Sequence, residues 1–382
     1  MRDHRITGRR RLSTFVLGAA SLILVGIPAG HAAYAAPTAA SKVPSSGIGL
    51  ATGLTAKGVD VLQNAAYYAR ASKSSLWGQT LDGLMYKSCI YGVPNGSFVD
   101  SVHGRIIEPD GKVVLTPRCP YPRLVPPGAT KPAATRSAAA GPIAAAAYHP
   151  NTSIWLDGFE ADGLPHMSNL TTELSAPYPP NNQGPFYEYQ WTALASLGNS
   201  LLQPAVGWGK LSVSTYRPPL PGDVEIVAYY INGTIATAGT FYSVKPLDTI
   251  FTSIQGYNCG SGGGGCTWDM AITDEQSHQS STLTVGSSPA YTSVIGEYEG
   301  NVGSVGGTNC QSLFANHHLV WRNLSVASEA GNTVTPLYYQ NGVYDTGAGA
   351  TVRSNSAMVE SDNSPSVDTA ADITWSNSCT GF

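Results

Sequence analysis

The groups in this chain best suited to making and breaking bonds are two carboxylates and one amide. Glu297 and Glu299 lie in Ser293-Val294-Ile295-Gly296-Glu297-Tyr298-Glu299-Gly300, a run that reads as a strand. Positions two apart on a strand share a face, so these carboxyls point the same way. On a solvated face they are an ordinary exposed pair. On the concave side of a curved sheet, their repulsion raises at least one pKa and makes a carboxyl usable as an acid. The amide is Gln203, in Leu201-Leu202-Gln203-Pro204-Ala205-Val206-Gly207-Trp208. A Gln inside an apolar strand must find partners or cost a few kcal/mol. Taken alone, it reads as a partner for a nearby backbone group or Tyr.

Other machineries are missing from the sequence. It contains no HExxH, CxxC, EF-hand or GxSxG pattern, and no His in a context that suggests a serine or cysteine triad. His317-His318 is an isolated pair and reads as a surface or sheet-edge feature, so neither a metal nor a cofactor is expected. The glycines between Cys259 and Cys266 are followed by no Lys-Ser/Thr and no helix start. They read as a pinned loop and not as a phosphate cradle.

The elements that must position these groups are strands. From residue 148 to 382, short β-branched and aromatic runs recur between Gly, Pro and Asn clusters: Ser212 to Tyr216, Val224 to Ile231, Thr240 to Val244, Thr249 to Ile254, Thr267 to Thr273, Ser281 to Val285 and Ser293 to Tyr298. This predicts an all-β, two-sheet antiparallel sandwich of concanavalin-like or jelly-roll type. Ahead of it, residues 36–124 predict a helix within 56–76, with Val59, Leu62, Ala66 and Tyr67 on one face. A hairpin then turns at Glu108-Pro109-Asp110-Gly111. Residues 125–147 are Pro/Ala-rich and read as a linker, with Lys131 and Arg136 exposed to processing.

Residues 1–35 read as an export signal: a charged start with Arg9 to Arg11, an apolar stretch from Phe15 to Ile27, and Ala33-Tyr34-Ala35 before the cut. That apolar stretch is short for a membrane span, so the mature protein is expected to be secreted, off the membrane and monomeric. An oxidising compartment suits the six cysteines. Cys89–Cys119 and Cys259–Cys266 are the local pairings, leaving Cys310–Cys379, among the fifteen connectivities that six cysteines allow.

Charge divides the chain. Residues 36–142 hold eleven Lys and Arg against five acids, whereas residues 143–382 hold five against nineteen. A basic segment ahead of an acidic body can dock while the carboxylates are ionised and release in acid, as in a zymogen. Two modules without mutual contact give the same composition. The hairpin and its Cys89–Cys119 bridge suit accessory strands of the sandwich as well as they suit a propeptide. Nucleic-acid binding is disfavoured, because the five basic residues of the body do not cluster.

At the carboxylates and the amide the chain resembles the eqolisin family, the glutamic peptidases. The resemblance runs from about Trp155 to Val326 and keeps the family's motif order: Trp155-Leu156-Asp157-Gly158-Phe159, Ala176-Pro177, Trp191, Leu202-Gln203-Pro204-Ala205-Val206, Gly222-Asp223 and Val294-Ile295-Gly296-Glu297. It implies a secreted acid endopeptidase on a β-sandwich, with a polypeptide substrate. Glu297 would be general base and then acid, Gln203 would orient the water and stabilise the oxyanion, and Trp191 would form part of the cleft floor. Glu299, Trp208 and Trp155 are further substrate-binding candidates. The chain departs from the family pattern after the cleft Trp, where Trp191-Thr192-Ala193-Leu194-Ala195 lacks an Asp.

Two other readings use the same residues. A jelly-roll glycoside hydrolase or carbohydrate-binding protein would use Glu297 and Glu299 as its carboxyl pair. Trp155, Trp191, Trp208 and Trp268 would be its sugar platforms. A non-catalytic secreted sandwich would use Gln203 and Glu297 as ordinary polar partners.

Overall fold

Two large sheets share one core: the central strands of one are buried on both faces, and those of the other alternate buried and more exposed residues. The structure, a computed structural model, describes residues 61–63, 65–81, 83–125, 155–161, 166–181, 187–196, 200–259, 265–288, 290–300, 314–316, 318–328, 333–334, 343–345, 351–354 and 371–375. The signal peptide, all but the first residue of the 125–147 linker, and the Cys310–Cys379 pairing fall outside these residues.

One sheet runs in the order Ile90–Gly92, Ile235–Ala238, Val224–Asn232, Ser200–Gly209, Tyr187–Ala195, Ser293–Gly300, Trp155–Ala161. The other is centred on His318–Ser328, Met167–Ser175, Thr249–Tyr257, Cys266–Asp274 and Ser280–Ser288. Within these central strands every ladder is antiparallel. Met167–Ser175 shows why the sheets stack: Leu170, Thr172 and Leu174 are buried while Thr171 and Glu173 are half-exposed. Leu170, Leu174, Ile250, Ile254, Trp268 and Met270 meet Leu194, Leu202, Val206, Ile226, Val294 and Tyr298 in one apolar layer. The all-β sandwich expected from the pattern is the fold observed.

The region before the linker is woven into this architecture. Ile90–Gly92 pairs in parallel with Ile235–Ala238 at the edge of the first sheet. Phe98–Asp100 pairs in parallel with Ser280–Ser288, and Arg105–Ile107 and Val113–Leu115 continue the second sheet. The predicted turn closes at Glu108–Gly111, where the Gly111 N–H donates to Glu108 O at 2.8 Å and Gly111 takes φ 86°. The Cys89–Cys119 and Cys259–Cys266 disulfides are both formed.

Two expectations need correction. The helix spans only Ala65–Ala71 and buries Tyr68 and Ala71, not Ala66 and Tyr67. Val61–Gln63 pairs in parallel with Arg123–Val125, so tertiary pairing of β-branched and apolar residues overrides the helical period there. The stretch Ser212 to Tyr216 is a loop, and its Ser212 is committed to hydrogen bonds with Gln79.

Candidate functional site

Three adjacent strands assemble the site. Trp191, in the middle strand Tyr187–Ala195, stands opposite Ala205 on one side and Glu297 on the other. Opposed residues share a face, as do residues two apart on one strand, so Gln203, Trp191, Glu297 and Glu299 all lie on the same side of the sheet. Strand spacing and rise put the Cα atoms of Gln203 and Glu297 roughly 12 Å apart, with the middle strand between them. Ala193, with its small side chain, shares that face of the middle strand.

Gln203 is 0% exposed, and neither its Oε1 nor its Nε2 has a hydrogen-bond partner among the described residues. Leaving a buried amide unpaired costs about 1–3 kcal/mol for each group, and such groups concentrate where a ligand or a reaction supplies the partner. The neighbouring ladder is also interrupted. Paired positions jump from Trp191–Ala205 to Leu194–Leu202, and the gap holds Pro204, which has no N–H to give.

Glu297 is 6% exposed and pairs across its other edge with Gly158. Glu299 is fully buried and committed: its Oε2 accepts from Trp191 Nε1 at 2.9 Å and its Oε1 from the Tyr187 hydroxyl at 3.3 Å. It therefore holds the Trp191 ring beside Glu297. Trp155 pairs with Glu299 in the backbone register. Trp208 is a correction. It stands opposite Glu188, one residue out of phase with Gln203, and so turns toward the inter-sheet core and packs there.

The same face holds a carboxyl that the sequence reading missed. Glu225 is opposite Gly207, one strand beyond the Gln203 strand, and is fully buried. Its Oε1 is hydrogen-bonded to the Tyr189 hydroxyl, which also donates to Gly209 O at 3.1 Å. A phenol has one proton, so both contacts are satisfied together only when Glu225 is protonated and donates to Tyr189. Burial pushes the Glu225 carboxyl well up, outweighing the Tyr189 hydrogen bond. Glu188, on the opposite face, is also pushed up by burial, although Tyr298 donates to its Oε2 at 3.0 Å. A carboxylate inside an apolar strand, as in Val224-Glu225-Ile226-Val227, is the kind of signal that marked Gln203, and it was available in the sequence.

Among the described residues no cluster of three or more His, Cys, Asp or Glu is placed to hold a metal ion. No described helix is long and apolar enough to cross a membrane.

No protein-family model matches the chain, and no curated protein matches it. Among solved structures it is similar to scytalido-glutamic peptidase with a transition-state-analogue inhibitor, at 11% identity and TM-score 0.37, over 58% of this chain and 98% of that one. It is similar to scytalido-glutamic peptidase with a peptide-based transition-state analogue, at 11% identity and TM-score 0.36, over 58% of this chain and 100% of that one. It is also similar to SCP-B, a member of the eqolisin family of peptidases in complex with the tripeptide Ala-Ile-His, at 10% identity and TM-score 0.36, over 58% of this chain and 97% of that one. The likeness is distant.

Proposed function

We propose that the chain is a secreted acid endopeptidase in which Glu297 and Gln203 act on one water. The observation that carries this reading is the buried Gln203 amide, without a hydrogen-bond partner among the described residues, on the same sheet face as the Glu297 carboxyl. Glu297, as carboxylate, takes a proton from the water while the water oxygen bonds to the scissile carbonyl carbon. The carbonyl π electrons move to oxygen, and Gln203 Nε2–H donates to that oxyanion. The carboxylic acid then returns its proton to the amide nitrogen as the C–N bond breaks. Trp191, held by Glu299, lines the floor beside Glu297.

Acid suits this scheme because protonating surface carboxylates lowers the negative charge of the body that substrate has to approach. The two disulfides are compatible with an exported protein. The carbohydrate reading draws less support from the packing: Trp268 is sealed between the sheets and Trp208 faces the same layer.

The test is hydrolysis of denatured protein at about pH 3–4 by Glu297→Gln and Gln203→Ala, with pepstatin and a chelator present. Each variant is expected to keep the parent's thermal midpoint and lose at least about 100-fold in rate. Retention of full activity by both would remove the dyad from the mechanism.

A further inference from the structure

The face that carries Gln203 and Glu297 is covered, and the cover is this chain's own residues 65–86. Tyr68 of the helix is 8% exposed and lies close enough to Glu299 that, after burial, the carboxylate's charge is the second cause pushing its phenol up. The hairpin of Trp77–Thr80 and Gly83–Tyr86 follows. At its turn Leu81 is fully buried, and its carbonyl oxygen lies 3.3 Å from the Tyr187 hydroxyl, competing with Glu299 Oε1 for that hydroxyl's one proton. Ser212 N–H donates to Gln79 O at 2.8 Å, and Gln79 N–H donates to Ser212 Oγ at 2.9 Å. Leu81 and Met85 join the apolar cluster that holds Tyr187, Trp191 and Ala193. An extended segment held through its main chain, with apolar side chains set into the floor, is how a groove binds a peptide.

We infer that the 77–86 hairpin is an internal occupant of the substrate groove, shutting it and marking the position over Tyr187 and Trp191 as one for a large aliphatic side chain. This rests on the peptidase reading for the meaning of the groove. The ladders support a removable cover on a fixed base. Among the described residues, Trp77–Thr80, Gly83–Tyr86, Val61–Gln63 and Arg123–Val125 form ladders only with one another, as a small four-stranded sheet. The strands that follow the hairpin are built into the sandwich. A Cβ on Gly92 would come within 2.6 Å of Thr215 N, and one on Gly286 within 2.3 Å of Phe98 Cζ. The cover can therefore leave without breaking a ladder of either large sheet. Its seat on the body is largely apolar, and among the described residues the ion pairs His103–Asp100, Arg105–Asp100 and Lys112–Glu108 lie inside the basic segment.

The test uses the full chain with the hairpin unseated in two independent ways. Leu81→Asp with Met85→Asp puts charge into the apolar seat. Gly78→Val drives a side chain into Ser212, whose Cβ is already 2.7 Å from where a Gly78 Cβ would lie. Carboxyl labelling by carbodiimide and glycine ethyl ester, read by mass spectrometry, reports access to Glu297 and Glu299. Hydrogen exchange over 77–86 reports whether the hairpin has left. Unseated variants are expected to label both residues at least about tenfold faster than the parent, and a synthetic peptide of residues 76–87 should suppress the labelling. Labelling with no hydrolysis would keep the occupant and discard the peptidase. A hairpin that exchanges freely while Glu297 and Glu299 stay protected would overturn the inference. Full hydrolytic activity in the parent with its hairpin protected would do the same.

Discussion

Two of the buried carboxyls should add to the stability of this fold in acid. Glu188 and Glu225 have folded-state pKa values well above the ordinary 4.5, and burial is the largest cause at both. A raised carboxyl binds its proton more tightly when folded, so its stabilising effect is complete below the unfolded pKa. The effect is lost as pH rises from there toward the folded value. Each group then costs about 1.4 kcal/mol for every pH unit between its unfolded and its folded value. Asp100 works the other way. Burial raises its carboxyl, but hydrogen bonds from His103 and Arg105 outweigh this and lower it, so its share is lost in stronger acid. Thermal or urea unfolding measured from about pH 4 to pH 7 should show stability falling steadily. Glu188→Gln and Glu225→Gln should each remove about half the slope. A parent profile that is flat or rising across that window would refute the reasoning, as would variants that leave the slope untouched.

Three further perturbations have defined outcomes. Replacing Cys89 and Cys119 by Ser opens a loop of sequence separation 30, which should cost about 3–4 kcal/mol on the chain-entropy account, read as a lowered urea midpoint. Gly207→Ala places a Cβ 2.1 Å from Glu188 O and 2.6 Å from Tyr189 Cα, both backbone, so the strand pair must shift. A thermal midpoint within a degree or two of the parent would contradict that packing. Trp191→Phe keeps the ring but removes the indole N–H that Glu299 accepts. It should lower the hydrolytic rate several-fold and cost about 1–3 kcal/mol of stability as Glu299 loses a donor, and an unchanged rate would mean that the Glu299 contact does not position the site.

Local pattern carried much of the fold. The runs at Thr249 to Ile254 and Thr267 to Thr273 are strands because two-residue alternation is a property of each segment by itself, and Val224 to Ile231 is one because a short β-branched and aromatic run suits a strand buried on both faces. The pattern misled at Ser212 to Tyr216, where β-branched content resembles a strand but the Gln79 main chain supplies the partner. It misled again at residues 56–76, where Val61–Gln63 finds Arg123–Val125 far along the chain.

The site divides along the same line. Sequence alone established that Glu297 and Glu299 share a face and that Gln203 is out of place among apolar neighbours, since both follow from spacing within one strand. That Gln203 and Glu297 lie on one side was decided by the register of Tyr187–Ala195 against both neighbouring strands. A slip of one residue would have turned the amide toward the inter-sheet core, where Trp208 points. That a hairpin more than a hundred residues upstream covers them was likewise a tertiary outcome. Apolar burial has no direction along the chain, and only the folded surfaces determine which patches meet.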